Sequence, residues 1–241
     1  MLSLPDSENK ELYVREIFNS IAQRYDLMNS LMSFGMDKGW RKFTVECTCL
    51  KAGGKALDIC CGTGRMTREL AKVAGIYGQV IGLDFSENML RIAQKTLKNY
   101  KYKSAIKFIK GNAMELPFKD NSFDTVTVGW GLRNVPDMNR VISEMMRVVK
   151  PGGTVVSIDM AKPKMPIFTQ LFWLYFEKLI PIMGRLWAKK EYAYSYLHDS
   201  AKAFPHQREL AQLFCRVGLE NVRYYNLSAG VVAVVQGWKF Q

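Results

Sequence analysis

The chain has 241 residues, 48% of them apolar, which is enough for one large α/β core with an appendage. Its 34 lysines and arginines against 22 acids give a net charge of +12, compatible with nucleic acid, an anionic membrane surface, or a merely solvated exterior. No apolar run reaches the length of a membrane span, the opening MLSLPDSENKEL lacks a leader pattern, and the five cysteines and two histidines show no zinc-ligand spacing, so a cytoplasmic protein with reduced thiols and no metal is expected.

In chain order, residues 11–29 place Ile17, Phe18, Ile21, Tyr25 and Met28 near a helical period. This helix precedes the first strand, so residues 1–53 read as a helical cap, and Gly53-Gly54 opens a core domain over 54–241. Residues 55–65, KALDICCGTGR, form a short apolar run, a glycine turn and the start of a helix carrying Met66, Leu70, Val73 and Ala74. Gly62 and Gly64 permit a sharp turn and close approach to a ligand, at which the free N–H groups of the helix start point. A second run, 79–83, ends in Asp84, twenty residues past Gly64, where an acid can accept from both hydroxyls of an adenosine ribose.

Ser86 caps a helix through Leu97, with Glu87 in its first turn. Residues 106–109 and 123–128 make the third and fourth strands. Asp137 caps a helix whose Met138, Val141, Ile142, Met145, Val148 and Val149 share a face, and Pro151-Gly152-Gly153 stops it before a fifth strand at 154–158. Such alternation implies a parallel sheet covered on both faces. It lapses over 160–203, where Phe168, Leu171, Phe172, Trp173, Tyr175 and Phe176 are too many large side chains for one stripe. A helix at 205–217 and strands at 222–227 and 231–238 close the chain.

A dinucleotide fingerprint would need a third small residue where Thr67 stands, and a pyrophosphate sits poorly beside Asp58. The pattern resembles instead the first motif of class I S-adenosylmethionine methyltransferases. After the fourth strand, where such enzymes hold their target, the chain reads Gly129-Trp130-Gly131-Leu132-Arg133-Asn134-Val135-Pro136. It carries neither the N-P-P-Y type of motif of base methylation nor the paired glutamates of arginine methylation. Nucleic acid is therefore not the expected partner.

The stretch GLRNV, Tyr25-Asp26-Leu27-Met28-Asn29, Met32-Ser33-Phe34-Gly35, Arg147 to Gly153, Tyr196 with Ser200, and Phe204-Pro205 with Gln207 together resemble the quinone-biosynthesis C-methyltransferases, over about residues 13–239. These convert demethylmenaquinone to menaquinone. The resemblance implies a doubly wound, seven-stranded Rossmann-like sheet with its last strand antiparallel, a helical cap, and a helical insertion at 160–203. It implies S-adenosylmethionine as cofactor, held by Gly62, Thr63, Gly64, Asp84, Asn112, Ala113 and Gly129. Asn112 offers an amide to the adenine amino group, and Ala113 leaves room for the ring.

The chain departs from the family at Asp37, usually His, at Arg65, usually an acid, at Asp159, usually Glu, at Ala161, usually Ser, and at Ser228-Ala229-Gly230. Arg65 is free in this reading to meet the cofactor's carboxylate. A quinol carbon is a weak nucleophile until a neighbouring hydroxyl, titrating near pH ~10, loses its proton. Arg133 is expected to stabilise the phenolate, Asn134 to orient it, and Asp159 to serve as base. Tyr25 and Trp130 divide evenly between core aromatics and substrate walls, while His198 and His206 read as surface or capping residues.

The expected substrate is a membrane-resident isoprenoid quinol. Contact with an anionic membrane, at its inner face, is expected through 160–203 and its Lys162, Lys164, Lys178, Arg185, Lys189 and Lys190. Another small-molecule target, an RNA target, and a non-catalytic S-adenosylmethionine-binding protein that docks on membranes remain as alternatives.

Overall fold

The computed structural model describes residues 7–163, 174 and 191–240. Seven strands form one sheet: β1 (Lys55–Ile59), β2 (Gln79–Asp84), β3 (Ile106–Lys110), β4 (Phe123–Gly129), β5 (Val149–Met160), β6 (Glu220–Leu227) and β7 (Val232–Trp238), in the order β3-β2-β1-β4-β5-β7-β6. The first five are parallel, and β7 runs antiparallel to both neighbours. The described helices are α1 (Ser7–Met32), α2 (Asp37–Cys47), α3 (Arg65–Ala74), α4 (Glu87–Thr96), α5 (Met138–Val148), α6 (Glu191–Ala203) and α7 (Gln207–Arg216). This is the doubly wound α/β sheet that the alternation implied.

Strand geometry sends consecutive residues to opposite faces. Leu57 and Ile59 of β1 join Val126, Val128, Ile142 and Phe214 in one buried cluster. Ala56, just before Leu57, points the other way and joins Val80, Val156 and Leu70 in the second cluster. Both faces are therefore covered, and the central strands read as continuous apolar runs. Ser86 Oγ accepts from Met89 N–H, and Asp137 Oδ1 accepts from Arg140 N–H, so both expected caps form. His206 caps α7 through Nδ1, which accepts from Arg208 N–H, while the Glu209 carboxylate accepts from His206 N–H.

Two details differ from the sequence reading. α5 ends at Val148, and Val149 already pairs with Phe123, whereas the next β4 residue in register, Thr125, pairs with Thr154. Pro151-Gly152-Gly153 thus lies in an irregular stretch inside β5, with Gly152 at φ +78°, and Val149 belongs to the strand. The second is α2, which the sequence reading did not foresee. Its N-terminus has no side-chain cap, since Met36 precedes it, and Gly39 sits in its first turn. Among the described residues no helix is long and apolar enough to cross a membrane. Residues 164–173 and 175–190, most of the expected insertion, lie outside the described residues.

The strand order reverses between β1 and β4, where a crevice opens at the carboxyl ends of the strands. α1 covers that crevice. Its Val14, Ile17 and Met28 pack in a third cluster with Tyr196 of α6.

Candidate active site

The crevice holds a cleft of about 750 Å³, its open mouth included, walled by Gly62 of the glycine turn, Asp84, Asn112, Ala113, Gly129 and residues of α1. The turn is shaped by Gly62 and Gly64, at φ +54° and +77°. A Cβ on Gly64 would come within 2.8 Å of the Phe108 ring, so this glycine serves close packing and does not line the cleft. Gly62 N–H donates to Asp84 Oδ2 at 2.8 Å, and Ser86 N–H donates to Asp84 Oδ1 at 2.8 Å. Each oxygen keeps a lone pair for a ligand hydroxyl. Burial raises the Asp84 pKa to about 6, against the pull of those two N–H groups. Asn112 Oδ1 accepts from Met114 N–H at 2.9 Å, which fixes its side chain at the rim.

A smaller, polar pocket adjoins the cleft beside the glycine turn, lined by Asp26, Arg41, Asp58, Thr63, Arg65 and Trp130 among others. Asp58 accepts from Thr67 Oγ1 at 2.6 Å and Thr127 Oγ1 at 3.0 Å. Burial lifts its pKa to about 7, the two threonines opposing. Thr63 Oγ1 donates to Asp26 Oδ1 at 2.7 Å. Arg65 pairs with Asp26 at 3.1 Å and Asp37 at 3.0 Å and donates to Ser30 Oγ at 3.0 Å. Arg41 pairs with Asp37 at 2.5 Å and lies over the Trp130 ring. Burial alone would raise the Asp37 pKa, but Arg41 and Arg65 outweigh it and hold the carboxyl below its usual range. Asp37 and Arg65 thus face each other with opposite charge.

On the other side of Tyr25 lies a second, mainly apolar cavity of about 470 Å³, lined by Ile17, Ile21, Met28 and Met32 of α1, by Leu197, and by Arg133 and Asn134. Arg133 is 8% exposed, and its Nη1 donates to Asp159 Oδ1 at 2.5 Å. Burial pulls the guanidinium's pKa down, yet Asp159 and then Tyr25 raise it overall, so the group stays a fixed cation. Among the described residues, Arg133 Nε and Asp159 Oδ2 are buried without a hydrogen-bond partner. Asn134 Nδ2 donates to the Trp130 carbonyl at 3.0 Å, and Tyr196 Oη donates to Asn134 Oδ1 at 3.1 Å.

The structure therefore gathers Gly62, Asp84, Asn112, Ala113 and Gly129 around the cleft and puts Thr63 in the adjoining polar pocket. It sets Arg133 in the apolar cavity and Asn134 in the wall that the cavity shares with the cleft. Asp159 lines none of these three spaces and instead faces Arg133. Tyr25 lines all three, and Asp26 and Arg41 close the polar pocket from the cap. The sequence signal for Tyr25 was its place in a matched motif; Arg41 had none. Cys60 and Cys61 lie in the turn with thiol pKa values pushed up by burial and neighbouring acids, as structural thiols would. Among the described residues no cluster of His, Cys, Asp and Glu could hold a metal ion.

The features fit S-adenosylmethionine. The cleft has an acid for a ribose and an apolar wall for adenine, and the adjoining pocket has both signs of charge for an amino-acid end. Comparison with known proteins agrees. Residues 6–239 match the model of the ubiE/COQ5 methyltransferase family. The demethylmenaquinone methyltransferase of Desulfitobacterium hafniense is 59% identical over 232 residues, 96% of this chain and 92% of that protein. The Bacillus subtilis protein of the same name is 48% identical over 96% of this chain and 99% of its own length. A solved Thermotoga maritima structure, described as a SAM-dependent methyltransferase and possible histamine N-methyltransferase, shares the fold. It has a TM-score of 0.66 at 22% identity and covers 94% of this chain and 99% of that one.

Proposed function

The chain belongs to the ubiE/COQ5 methyltransferase family, and from that premise we propose that it methylates a ring carbon of a reduced demethylmenaquinone, with S-adenosylmethionine as donor, giving menaquinol and S-adenosylhomocysteine. The observation that carries the reading is a pair of adjoining spaces with shared walls. A cleft of cofactor size holding the buried Asp84 and an apolar cavity holding the buried Arg133 guanidinium share Phe18, Tyr25 and Asn134.

When bound, S-adenosylmethionine supplies an electrophilic methyl group. Asp84 holds the ribose, Asn112 and Ala113 border the adenine, and Gly62, Thr63 and Gly129 border the remainder. Arg133 presents a fixed positive charge in the cavity, so a hydroxyl bound beside it loses its proton to cleft water more readily and the phenolate is stabilised. That charge makes the neighbouring ring carbon nucleophilic. After the carbon–carbon bond forms and the methyl–sulfur bond breaks, the ring hydrogen leaves as a proton to cleft water and aromaticity returns. Asn134, held between the Trp130 carbonyl and Tyr196 Oη, fixes the oxygen's approach. Asp159 acts through Arg133, whose orientation it holds. The remaining acceleration comes from alignment of carbon, methyl and sulfur. The quinol's insolubility places the enzyme at the inner face of the membrane as a peripheral protein.

The test is incubation of the purified protein with methyl-labelled S-adenosylmethionine and chemically reduced demethylmenaquinone in detergent, followed by mass analysis of the quinone fraction. One added methyl on the ring is expected. Label absent from the quinone but present in another component of a lipid extract would overturn the substrate.

A further inference from the structure

We propose that the cavity between α2, α3 and the end of α4 binds a doubly charged phosphate group, in a space that neither the cofactor nor the quinol occupies in the reading above. The space holds about 820 Å³, its open mouth included. It adjoins the polar pocket, with which it shares Asp26, Arg41, Thr63 and Arg65. Its remaining walls include Lys38 and Lys42 of α2, Arg68 and Glu69 of α3, and Thr96 where α4 ends. Five cations thus line it against two carboxylates, Asp26 and Glu69.

Pairing decides which of those charges a ligand would meet. Asp26 accepts from Thr63 Oγ1 at 2.7 Å and pairs with Arg65 at 3.1 Å. Asp37, buried and outside the wall, holds Arg41 at 2.5 Å and Arg65 at 3.0 Å. Two arginines and two acids thereby cancel. Arg68 and Glu69 pair at 2.9 Å, but they are sequence neighbours on one helix and the arginine side chain is 47% exposed. Such a surface pair is worth little, so the guanidinium can turn to a better acceptor. Lys38 has no ion pair among the described residues, and Lys42 reaches only Glu46, at 4.0 Å, both side chains being largely exposed. Lys38 and Lys42 lie one turn apart on α2, a spacing at which like charges repel. Two positive charges therefore remain without compensation in one concave place.

A group with two negative charges balances them. A carboxylate carries one, whereas a phosphate monoester carries about 1.5 to 2 near neutral pH and has strong acceptor oxygens. Lys38, Lys42 and Arg68 supply charged donors from two helices. The Thr96 hydroxyl, which has no hydrogen-bond partner among the described residues, supplies another. Lys95 and Lys98 are exposed on either side of that helix end and extend the positive field that draws an anion in. Part of the net charge of +12, which a neutral quinol does not use, thus has a definite place. A soluble phosphate compound and a phosphatidic acid headgroup present the same chemistry.

The test is calorimetric titration of the full chain with inorganic phosphate near neutral pH, the ionic strength held constant with chloride. Saturable binding of one phosphate per chain is expected, and its absence overturns the proposal. Lys38→Gln with Lys42→Gln should weaken binding about tenfold or more, and Arg68→Gln should weaken it as well. Lys38→Arg with Lys42→Arg should retain it. Lys51→Gln with Lys119→Gln removes the same charge at exposed lysines outside the cavity and should change nothing. Equal binding by the Lys38, Lys42 glutamine pair and wild type refutes the site. So does an equal loss in the Lys51, Lys119 pair, which would mean a response to net charge alone. Saturating S-adenosylhomocysteine should leave phosphate bound; complete displacement would put the phosphate in the cofactor's own pocket and overturn a separate site. Co-sedimentation with phosphatidylcholine vesicles containing phosphatidic acid then assigns the source. Pelleting that needs Lys38 and Lys42 and is competed by inorganic phosphate identifies a lipid headgroup, and phosphate binding without such pelleting identifies a soluble compound.

Discussion

Replacing Asp159 by Asn should destabilise the protein strongly while leaving its shape almost unchanged. The side chains of Arg133 and Asp159 are 5% and 1% exposed, and the guanidinium reaches the carboxylate through Nη1 alone. Two unit charges roughly 4 Å apart attract by about 4 kcal/mol at an effective dielectric of ~20, but much of that only offsets desolvation. Removing one partner leaves the other charge buried and unmatched, which costs about 3–5 kcal/mol. Asn retains an acceptor for Arg133 and Met160 N–H, so the lower end is expected. With a urea slope of ~3 kcal/mol/M the midpoint should fall by about 1 M. The double variant Arg133→Met, Asp159→Leu removes both charges and should recover most of the stability yet have no turnover. A shift below ~0.3 M in Asp159→Asn would refute the buried pair. A double variant that still methylates at the wild-type rate would remove Arg133 from the chemistry.

Asp84→Asn should weaken S-adenosylmethionine binding by about 1–3 kcal/mol by calorimetry. Because the carboxyl titrates near about 6 in the free protein and ribose hydroxyls favour its ionised form, wild-type affinity should fall as pH drops through about 6, and the Asn variant should lose that slope; an unchanged affinity in Asp84→Asn would sink the ribose contact. Arg65→Glu puts a carboxylate against Asp26 and Asp37, and Asp37→His removes the acid that Arg41 and Arg65 share. Each should lower cofactor affinity, while the double variant, with charges opposite again, should regain most of it. Double-mutant additivity instead of rescue would show that positions 37 and 65 are not coupled.

The parts of the molecule legible in the sequence are those fixed by neighbours along the chain. β1 and β2 announced themselves as short apolar runs, Ser86 and Asp137 as caps, and Asp84 by its place at a strand end after a glycine turn. α2 gave no such signal, because it has no capping side chain and a glycine in its first turn. The cap's share of the site was equally hidden. Asp26, Arg41 and Tyr25 reach the polar pocket only because α1 and α2 fold over it, and no spacing within residues 7–47 encodes the glycine turn they meet. The Arg133–Asp159 pair was half legible. Gly129 pairs with Ile158 in adjacent parallel strands, so residues just beyond them are bound to be neighbours. Side-chain direction decides the rest, and it aims Asp159 at the arginine instead of at the cavity.

The same long-range placement explains why the cofactor site carries acids that are uncomfortable by themselves. Asp58 and Asp84 are both nearly inaccessible, and burial raises both pKa values, to about 7 and about 6. Hydroxyls of Thr67 and Thr127 and the N–H groups of Gly62 and Ser86 ease that burden without removing it. Each carboxyl therefore binds protons more tightly folded than unfolded, so the empty fold loses stability as pH rises from about 4 toward 7. A ligand bearing positive charge reverses the balance, since it favours the ionised form of both. S-adenosylmethionine carries a sulfonium and an ammonium, whereas S-adenosylhomocysteine has lost the sulfonium charge. Asp58 lines the pocket proposed for the amino-acid end and Asp84 faces the proposed ribose position, so the charge Asp58 meets is the ammonium that donor and product share, and neither acid by itself separates the two.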